Sequence, residues 1–312
     1  MKKKIAIVQV PPIFMDLEKT IALCCELIAG AAKNNAGLVM FPEAYIPGYP
    51  AWIWRLRPST DFEKAKVMHR ILVENSVDLS KDGLAKIRKV AKDNKITVAI
   101  GMNELNAEAS GTTLYNTFAI ISPDGKLANV HRKLVPTVAE RMTWGRGDAS
   151  GMNVVETPAG KIGGLICWEN YMPLSRYALY TQGLELYLAP TWDYGPNWIG
   201  TMGHIARESG CWVASCATPF QGNDIPENFP YKKEVFPNEE EWFTDGDAVL
   251  INPFGKIAAG PMKREKGILY GEYDLQDIID RRRSLDVAGH YSRPDIFSLT
   301  VKKSKQPLIN MT

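Results

Sequence analysis

A chain of 312 residues with 45% hydrophobic content is long enough to bury a large core, as one big domain or two ordinary ones. Lys plus Arg number 37 against 35 for Asp plus Glu, a formal net charge of +2, which disfavours nucleic acid and other polyanions as partners. No apolar stretch approaches the ~18 residues a membrane helix needs, and the 5 cysteines, with Cys24 and Cys25 adjacent, read as free thiols in a reducing compartment, which makes the cytoplasm the expected location.

The opening MKKKIAIVQVPP mimics the charged end of a signal peptide, but its apolar run over 5–10 stops at Pro11 and Pro12 and reads as a first strand over 4–10. Asp16 then caps a helix whose apolar face is Leu17, Ile21, Cys24, Ile28 and Ala32. GLVMF at 37–41 is a buried strand ending at Pro42 and Glu43. Helices follow over 61–72 and, capped by Ser80, along Leu84, Ile87, Val90 and Ala91. Strands are expected at 96–100 and 114–121. Three Pro-x-Gly-Lys turns, at 123–126, 158–161 and 253–256, are each flanked by strand-like residues and signal hairpins.

Beyond the second turn come a strand over 162–166, a helix over 174–182, a strand over 184–189, a helix over 197–209 and a strand over 212–215. Residues 221–241 are rich in proline, asparagine and charge and read as a surface excursion. Strands return at 247–251 and 268–273, and a last helix spans 275–284, where Arg281 to Arg283 read as a solvated face or a subunit contact. No linker composition divides the chain. It reads as one α/β domain over 1–301, helices covering mixed sheets, with a short polar tail over 302–312.

Three stretches carry chemistry. In KIGGLICWENYMPL, at 161–174, Cys167 ends a buried strand where a loop begins, as either one more buried thiol or a reactive one. Glu43 follows GLVMF directly, so desolvation should raise its pKa toward that of a base useful near neutral pH. In NVHRKLVPTVAER, at 129–141, Lys133 and Glu140 bracket Pro136. A carboxylate can take a thiol's proton, the thiolate can attack an electrophilic carbon, and an ammonium can hold the negative charge that develops. His131 offers a papain-like partner for Cys167 as a second arrangement. The histidines His69, His131, His204 and His290 are widely spread, and no metal site is expected.

FPEAYIPGYP around Glu43, HRKLVPTVAER around Lys133 and GGLICWENYMPL around Cys167, in that order, resemble the signature blocks of the nitrilase superfamily of carbon-nitrogen hydrolases. CWEN, TWGRGD and GHYSRPDIF resemble its true nitrilase branch most, and the likeness runs over about 4–299. It implies a four-layer α-β-β-α sandwich, Cys167 as nucleophile, Glu43 as general base, Lys133 as cationic partner and Glu140 as orienting carboxylate. It also implies the Trp168 N–H as a donor to the charge formed at the attacked carbon, no cofactor, and homo-oligomers, from dimers to spirals.

The activity implied is hydrolysis of an organic nitrile to the carboxylic acid and ammonia through a thioimidate and a thioester. An amidase or carbamoylase, a cyanide-degrading relative, and a catalytically silent scaffold are the alternatives. Of the aromatic residues beside the blocks, Trp168 and Trp192 are expected to line the substrate pocket, with Tyr49 and Trp52 behind them, in an apolar, aromatic-walled cavity that suits aliphatic or aryl nitriles better than charged substrates.

Overall fold

The structure is a computed structural model that describes residues 2–108 and 110–304; of the expected tail, 305–312 lie outside the described residues. In chain order the regular elements are β1 (Lys3–Gln9), α1 (Leu17–Lys33), β2 (Leu38–Met40), α2 (Phe62–Glu74), α3 (Ala85–Asp93), β3 (Thr97–Leu105), β4 (Leu114–Ile121) and β5 (Leu127–Arg132). There follow β6 (Val155–Thr157), β7 (Gly160–Gly164), α4 (Pro173–Tyr180), β8 (Leu186–Pro190), α5 (Pro196–Ser209), β9 (Trp212–Cys216), β10 (Phe220–Gln221) and α6 (Lys232–Val235). The chain closes with β11 (Trp242–Thr244), β12 (Gly246–Ile251), β13 (Ile257–Lys263), β14 (Gly267–Tyr273) and α7 (Gln276–Ser284).

Two six-stranded sheets form, ordered β14-β1-β2-β3-β4-β5 and β13-β12-β9-β8-β7-β6. Each has parallel strands at its centre, β1-β2-β3 in one and β7-β8-β9 in the other, and antiparallel pairs outside them. The three Pro-x-Gly-Lys turns make the hairpins β4-β5, β6-β7 and β12-β13.

Strand alternation builds the layers, because successive side chains point to opposite faces. Ile5 and Ile7 of β1, with Leu38, Met40 and Phe118, meet Ile162, Leu186, Leu188 and Leu250 of the second sheet in a core between the sheets. The intervening Ala6 and Val8, with Val39, Val98 and Ile100, face α1 and α3. On the far side Tyr187, Val213 and Val249 face Leu179 of α4 and Trp198, Met202 and Ile205 of α5. The layers therefore run α-β-β-α, as expected. Asp16 caps α1, its Oδ1 accepting from Lys19 N at 3.0 Å.

Three local expectations are corrected. Ser80 does not cap α3: it lies in a short 3-10 turn whose cap is Asp78, the chain then turns left-handed at Asp82 (φ 52°), and the helix starts only at Ala85. Residues 221–241 are no surface excursion, since Ile225, Phe229, Val235 and Phe236 are buried against Phe14, Trp52 and Phe220. Their polar composition hides these four well-spaced apolar anchors. Arg281 and Arg282 are drawn back onto the fold: Arg281 Nη2 donates to Arg207 O at 2.7 Å and Arg282 Nε to Ser209 O at 3.3 Å, so both serve the carboxyl end of α5, while Arg282 Nη2 reaches Leu184 O ahead of β8 at 2.5 Å. Among the described residues, no helix is long and apolar enough to cross a membrane.

Candidate active site

The chemistry-bearing residues gather where strands end. Glu43 follows β2, Lys133 follows β5, Cys167 follows β7 and Thr191 follows β8, so carboxyl ends of strands from both sheets converge. Glu43, Lys133 and Glu140 are each 1% exposed and Cys167 is 4% exposed.

Lys133 is the hub. Its Nζ donates to Glu43 Oε1 at 2.7 Å and to Glu140 Oε2 at 2.7 Å. Asn116 Nδ2 adds a third hydrogen bond, to Glu43 Oε1 at 2.6 Å, while the Asn116 main-chain carbonyl accepts from the Lys133 main-chain N–H at 2.8 Å. Glu43 Oε2 is buried with no hydrogen-bond partner among the described residues. That leaves one carboxylate oxygen with unused lone pairs.

Glu140 is fixed from its own turn and from a distance. Val138–Met142 forms a 3-10 turn whose capping box ties the Thr137 N–H to Glu140 Oε2 at 2.6 Å. Tyr49 OH donates to Glu140 Oε1 at 2.8 Å, and Trp54 Nε1 donates in turn to that hydroxyl at 3.1 Å.

Burial shapes the electrostatics. Desolvation and the nearby Glu140 charge push the Glu43 carboxyl up to about 7, against the opposing pull of Lys133. Burial acts to neutralise Lys133, but Glu43 above all, with Glu140 and any thiolate formed at Cys167, outweighs it and holds the ammonium above its ordinary range. Burial, reinforced by Glu43, raises the Cys167 thiol well above its ordinary value, with Lys133 and a Thr191 hydrogen bond pulling the other way. At neutral pH the thiol is thus protonated, with a carboxylate near its midpoint and a fixed cation in its field.

Cys167 itself sits at φ 51°, a left-handed conformation that costs a non-glycine residue ~1–3 kcal/mol. It opens a 3-10 turn, Cys167–Tyr171. Asn170 holds that turn, its Nδ2 donating to Leu165 O at 3.0 Å and to Cys167 O at 2.7 Å. Trp168 N–H lies ahead of the turn's internal Glu169 N–H to Ile166 O bond of 3.1 Å, in the region where amides at helical starts lack internal partners.

The aromatic residues divide. Tyr49 is buried and stacks on Trp192, centroids 4.1 Å apart with planes at 7°. Trp192 also touches Phe220. Trp52 packs against Phe14 and Phe229 and lines a cavity of about 270 Å³ with Phe62, His69 and Met142. The Trp168 ring is 49% exposed, its Nε1 donating to Asp193 Oδ2 at 2.8 Å. His131 is occupied by Glu169, Nε2 to Oε2 being 3.0 Å, which leaves the papain-like arrangement without support. Sequence reasoning did not single out Asn116, Thr191 or Glu169. Of these only Glu169 had a signal, as a member of CWEN.

The family model described as carbon-nitrogen hydrolase matches residues 4–283. Nitrilase 3 of Arabidopsis thaliana is 38% identical over 99% of this chain and 90% of its own length. An aliphatic nitrilase of Sinorhizobium fredii (strain HH103) is 36% identical over 99% of this chain and 98% of its own. Among solved structures, a carbon-nitrogen hydrolase from Helicobacter pylori G27 superposes with a TM-score of 0.67 at 18% identity, over 91% of this chain and 92% of that one.

Proposed function

The chain belongs to the carbon-nitrogen hydrolase family, and from that premise we propose that it is a nitrilase, converting a small organic nitrile and two waters to the carboxylic acid and ammonia. The choice of nitriles over amides is supported by the two relatives named nitrilase, each aligned over 99% of the chain. The observation that carries the mechanism is the buried Glu43-Lys133-Glu140 network, with Cys167 in its field.

In this reading Glu43 takes the Cys167 proton on its unpartnered oxygen as Sγ adds to the nitrile carbon, and the proton passes to the nitrile nitrogen. Lys133, held charged, stabilises negative charge on that nitrogen, as does the Trp168 N–H. The product is a thioimidate. Glu43 then deprotonates a water that adds to the same carbon, and the tetrahedral species expels ammonia to leave a thioester. A second water releases the acid and restores the thiol. If the tetrahedral species expels Cys167 instead, an amide leaves. Glu140, pinned by Tyr49 and Thr137, orients Lys133. Tyr49 and Trp192 supply an apolar wall that suits an uncharged substrate.

The hydrolase unit is taken to run through residue 301. Self-association into homo-oligomers is supported by apolar side chains left at the surface near α4 and the carboxyl-terminal segment, with Leu174 67%, Phe297 75% and Ile296 56% exposed. A cytoplasmic location is supported by the 5 free cysteines.

The test is to incubate the purified protein and Cys167→Ala with a panel of nitriles and matched amides, following ammonia and acid. Nitrile turnover lost in Cys167→Ala is the expected result. Release of ammonia from amides alone would make the protein an amidase or carbamoylase, consumption of cyanide alone would make it a cyanide-degrading relative, and retained turnover in Cys167→Ala would remove the nucleophile.

A further inference from the structure

One carboxylate outside the network described so far touches both of its halves. Glu169, 2% exposed, spreads its two oxygens between the nucleophile turn and the lysine strand. Its Oε2 accepts from the Ile166 N–H at 2.7 Å, one residue before Cys167. Its Oε1 accepts from the Leu134 N–H at 2.6 Å, one residue after Lys133. His131 Nε2 lies 3.0 Å from Oε2 and 3.2 Å from Oε1. An ionised carboxylate can only accept, so the Nε2 hydrogen points at Glu169 and fixes the imidazole's tautomer while the carboxylate is charged.

Burial would neutralise such a carboxyl, but His131 and the two backbone donors reverse the effect and hold it below its ordinary range. Burial of a polar group with every lone-pair direction occupied is a rigid arrangement, since each lost partner costs its desolvation.

We propose that Glu169, seated on His131, is a positioning residue for the proposed hydrolysis: it sets the distance and angle between Cys167 Sγ and Lys133 Nζ by holding the backbone next to each. The inference rests on the reading of Cys167 as nucleophile and Lys133 as its cation. Two features favour positioning over mere packing. The two amides it grips lie 35 positions away at Leu134 and 3 away at Ile166, just past the ends of β5 and β7 in opposite sheets, so one side chain ties the nucleophile turn to the segment that carries Lys133. The turn it holds also contains the strained Cys167, a conformation that persists only where its surroundings over-determine it.

The main influences on the Cys167 thiol are burial, Glu43, Lys133, Glu140 and Thr191, whereas the contacts of Glu169 are with the backbone beside Cys167 and Lys133. A neutral isostere therefore tests geometry. In Glu169→Gln one oxygen can still accept from one backbone N–H, but the new NH₂ faces the other.

The experiment compares the full-length wild type, Glu169→Gln, His131→Asn and Cys167→Ala, measuring kcat and KM on the best nitrile, or on the matched amide if that is the substrate. Labelling of Cys167 by iodoacetamide, read by mass spectrometry, and the melting temperature accompany each. Glu169→Gln is expected to lower kcat about 100-fold, the scale of a ~1 Å misplacement of reacting groups, with KM within about threefold and slower labelling of Cys167. His131→Asn should lower kcat about tenfold by freeing one side of the carboxylate, a fraction of the same misplacement, and it decides the matter if Glu169→Gln does not fold. Wild-type kcat per folded molecule in the deciding variant, with only the melting temperature reduced, would leave Glu169 a structural residue. Turnover retained in Cys167→Ala would instead remove the underlying reading, and if no turnover is found the labelling rates decide alone.

Discussion

Glu43 meets Lys133 through one carboxylate oxygen, at 2.7 Å, and keeps the other buried with no hydrogen-bond partner among the described residues. The paired oxygen anchors the carboxylate and the second is left to take a proton. With the carboxyl at about 7, the basic form dominates above that pH and is lost as pH falls through it. Activity measured as kcat/KM should therefore rise with an apparent pKa near 7, and Glu43→Gln should lower kcat by ~10²–10⁴, the usual scale for a general base. Stability moves the other way: the folded pKa lies above the unfolded value near 4.5, so this carboxyl's contribution is greatest below about 4.5 and lost as pH rises through 7. Thermal melts of wild type and Glu43→Gln at pH 5 and 8 should show the substitution relatively more favourable at pH 8. A flat kcat/KM profile between pH 5.5 and 8.5 would rule out Glu43 as the titrating base.

Lys133 balances two carboxylates in a dry setting, both of its ion pairs having side chains no more than 1% exposed. Removing it leaves two uncompensated buried carboxyls, and breaking a buried pair costs about 3–5 kcal/mol. Lys133→Met should therefore be inactive and strongly destabilised at pH 8. It should recover part of that stability at pH 5, where Glu43 can protonate. Urea denaturation at the two pH values checks this, and an equal loss at both would mean that the carboxylates do not depend on Lys133 for their charge.

Tyr49 couples the proposed orienting carboxylate to the proposed pocket wall: its hydroxyl donates to Glu140 and its ring stacks on Trp192. Tyr49→Phe keeps the stack and removes the bond. Losing one hydrogen bond to a charged acceptor costs about 1.5–3 kcal/mol, so kcat should fall by roughly tenfold or more with KM little changed. Tyr49→Ala should raise KM as well, because the Trp192 ring loses its partner. Steady-state kinetics on one uncharged nitrile separates the two, and identical kcat and KM in both variants would show that the ring matters only as filler.

The layers, and the three blocks whose residues the fold brings together, were legible because they rest on local signals. The apolar run of β1 and the helical spacing in α1 are read within one element, Glu43 and Cys167 each stand at the end of an apolar run, and Lys133 stands in the HRKL block. What the sequence could not display were contacts made across the fold. Tyr49 and Glu140 are separated by 91 positions, and Glu169 finds Leu134 35 positions away, beyond the end of β5. Neither has a periodicity. The buried part of 221–241 was hidden for another reason: four apolar anchors spaced among prolines and charges do not resemble a core, although Phe229 and Phe236 close the aromatic cluster around Trp52.

Gly101 offers the most local probe of the base. It lies on β3 beside the turn that carries Glu43, and a Cβ there would come within 2.1 Å of Pro42 O, 2.7 Å of Ala44 N and 3.0 Å of Glu43 C. All three are backbone atoms, which cannot rotate aside as a flexible side chain would. The neighbouring Ala44 is already left-handed at φ 48°, so the turn has little room to adjust. Gly101→Ala should therefore shift the Glu43 backbone rather than be absorbed by repacking. Overpacking of this kind costs about 1–3 kcal/mol, and a displacement of ~1 Å at a reacting group costs on the order of 100-fold in rate. The expected result is a protein that folds with a lowered melting temperature and loses most of its kcat, while the distant Gly30→Ala, where nothing lies within 4 Å of the added Cβ, retains wild-type kinetics. Wild-type kcat in folded Gly101→Ala would mean that the position of Glu43 tolerates a displacement that a general base should not.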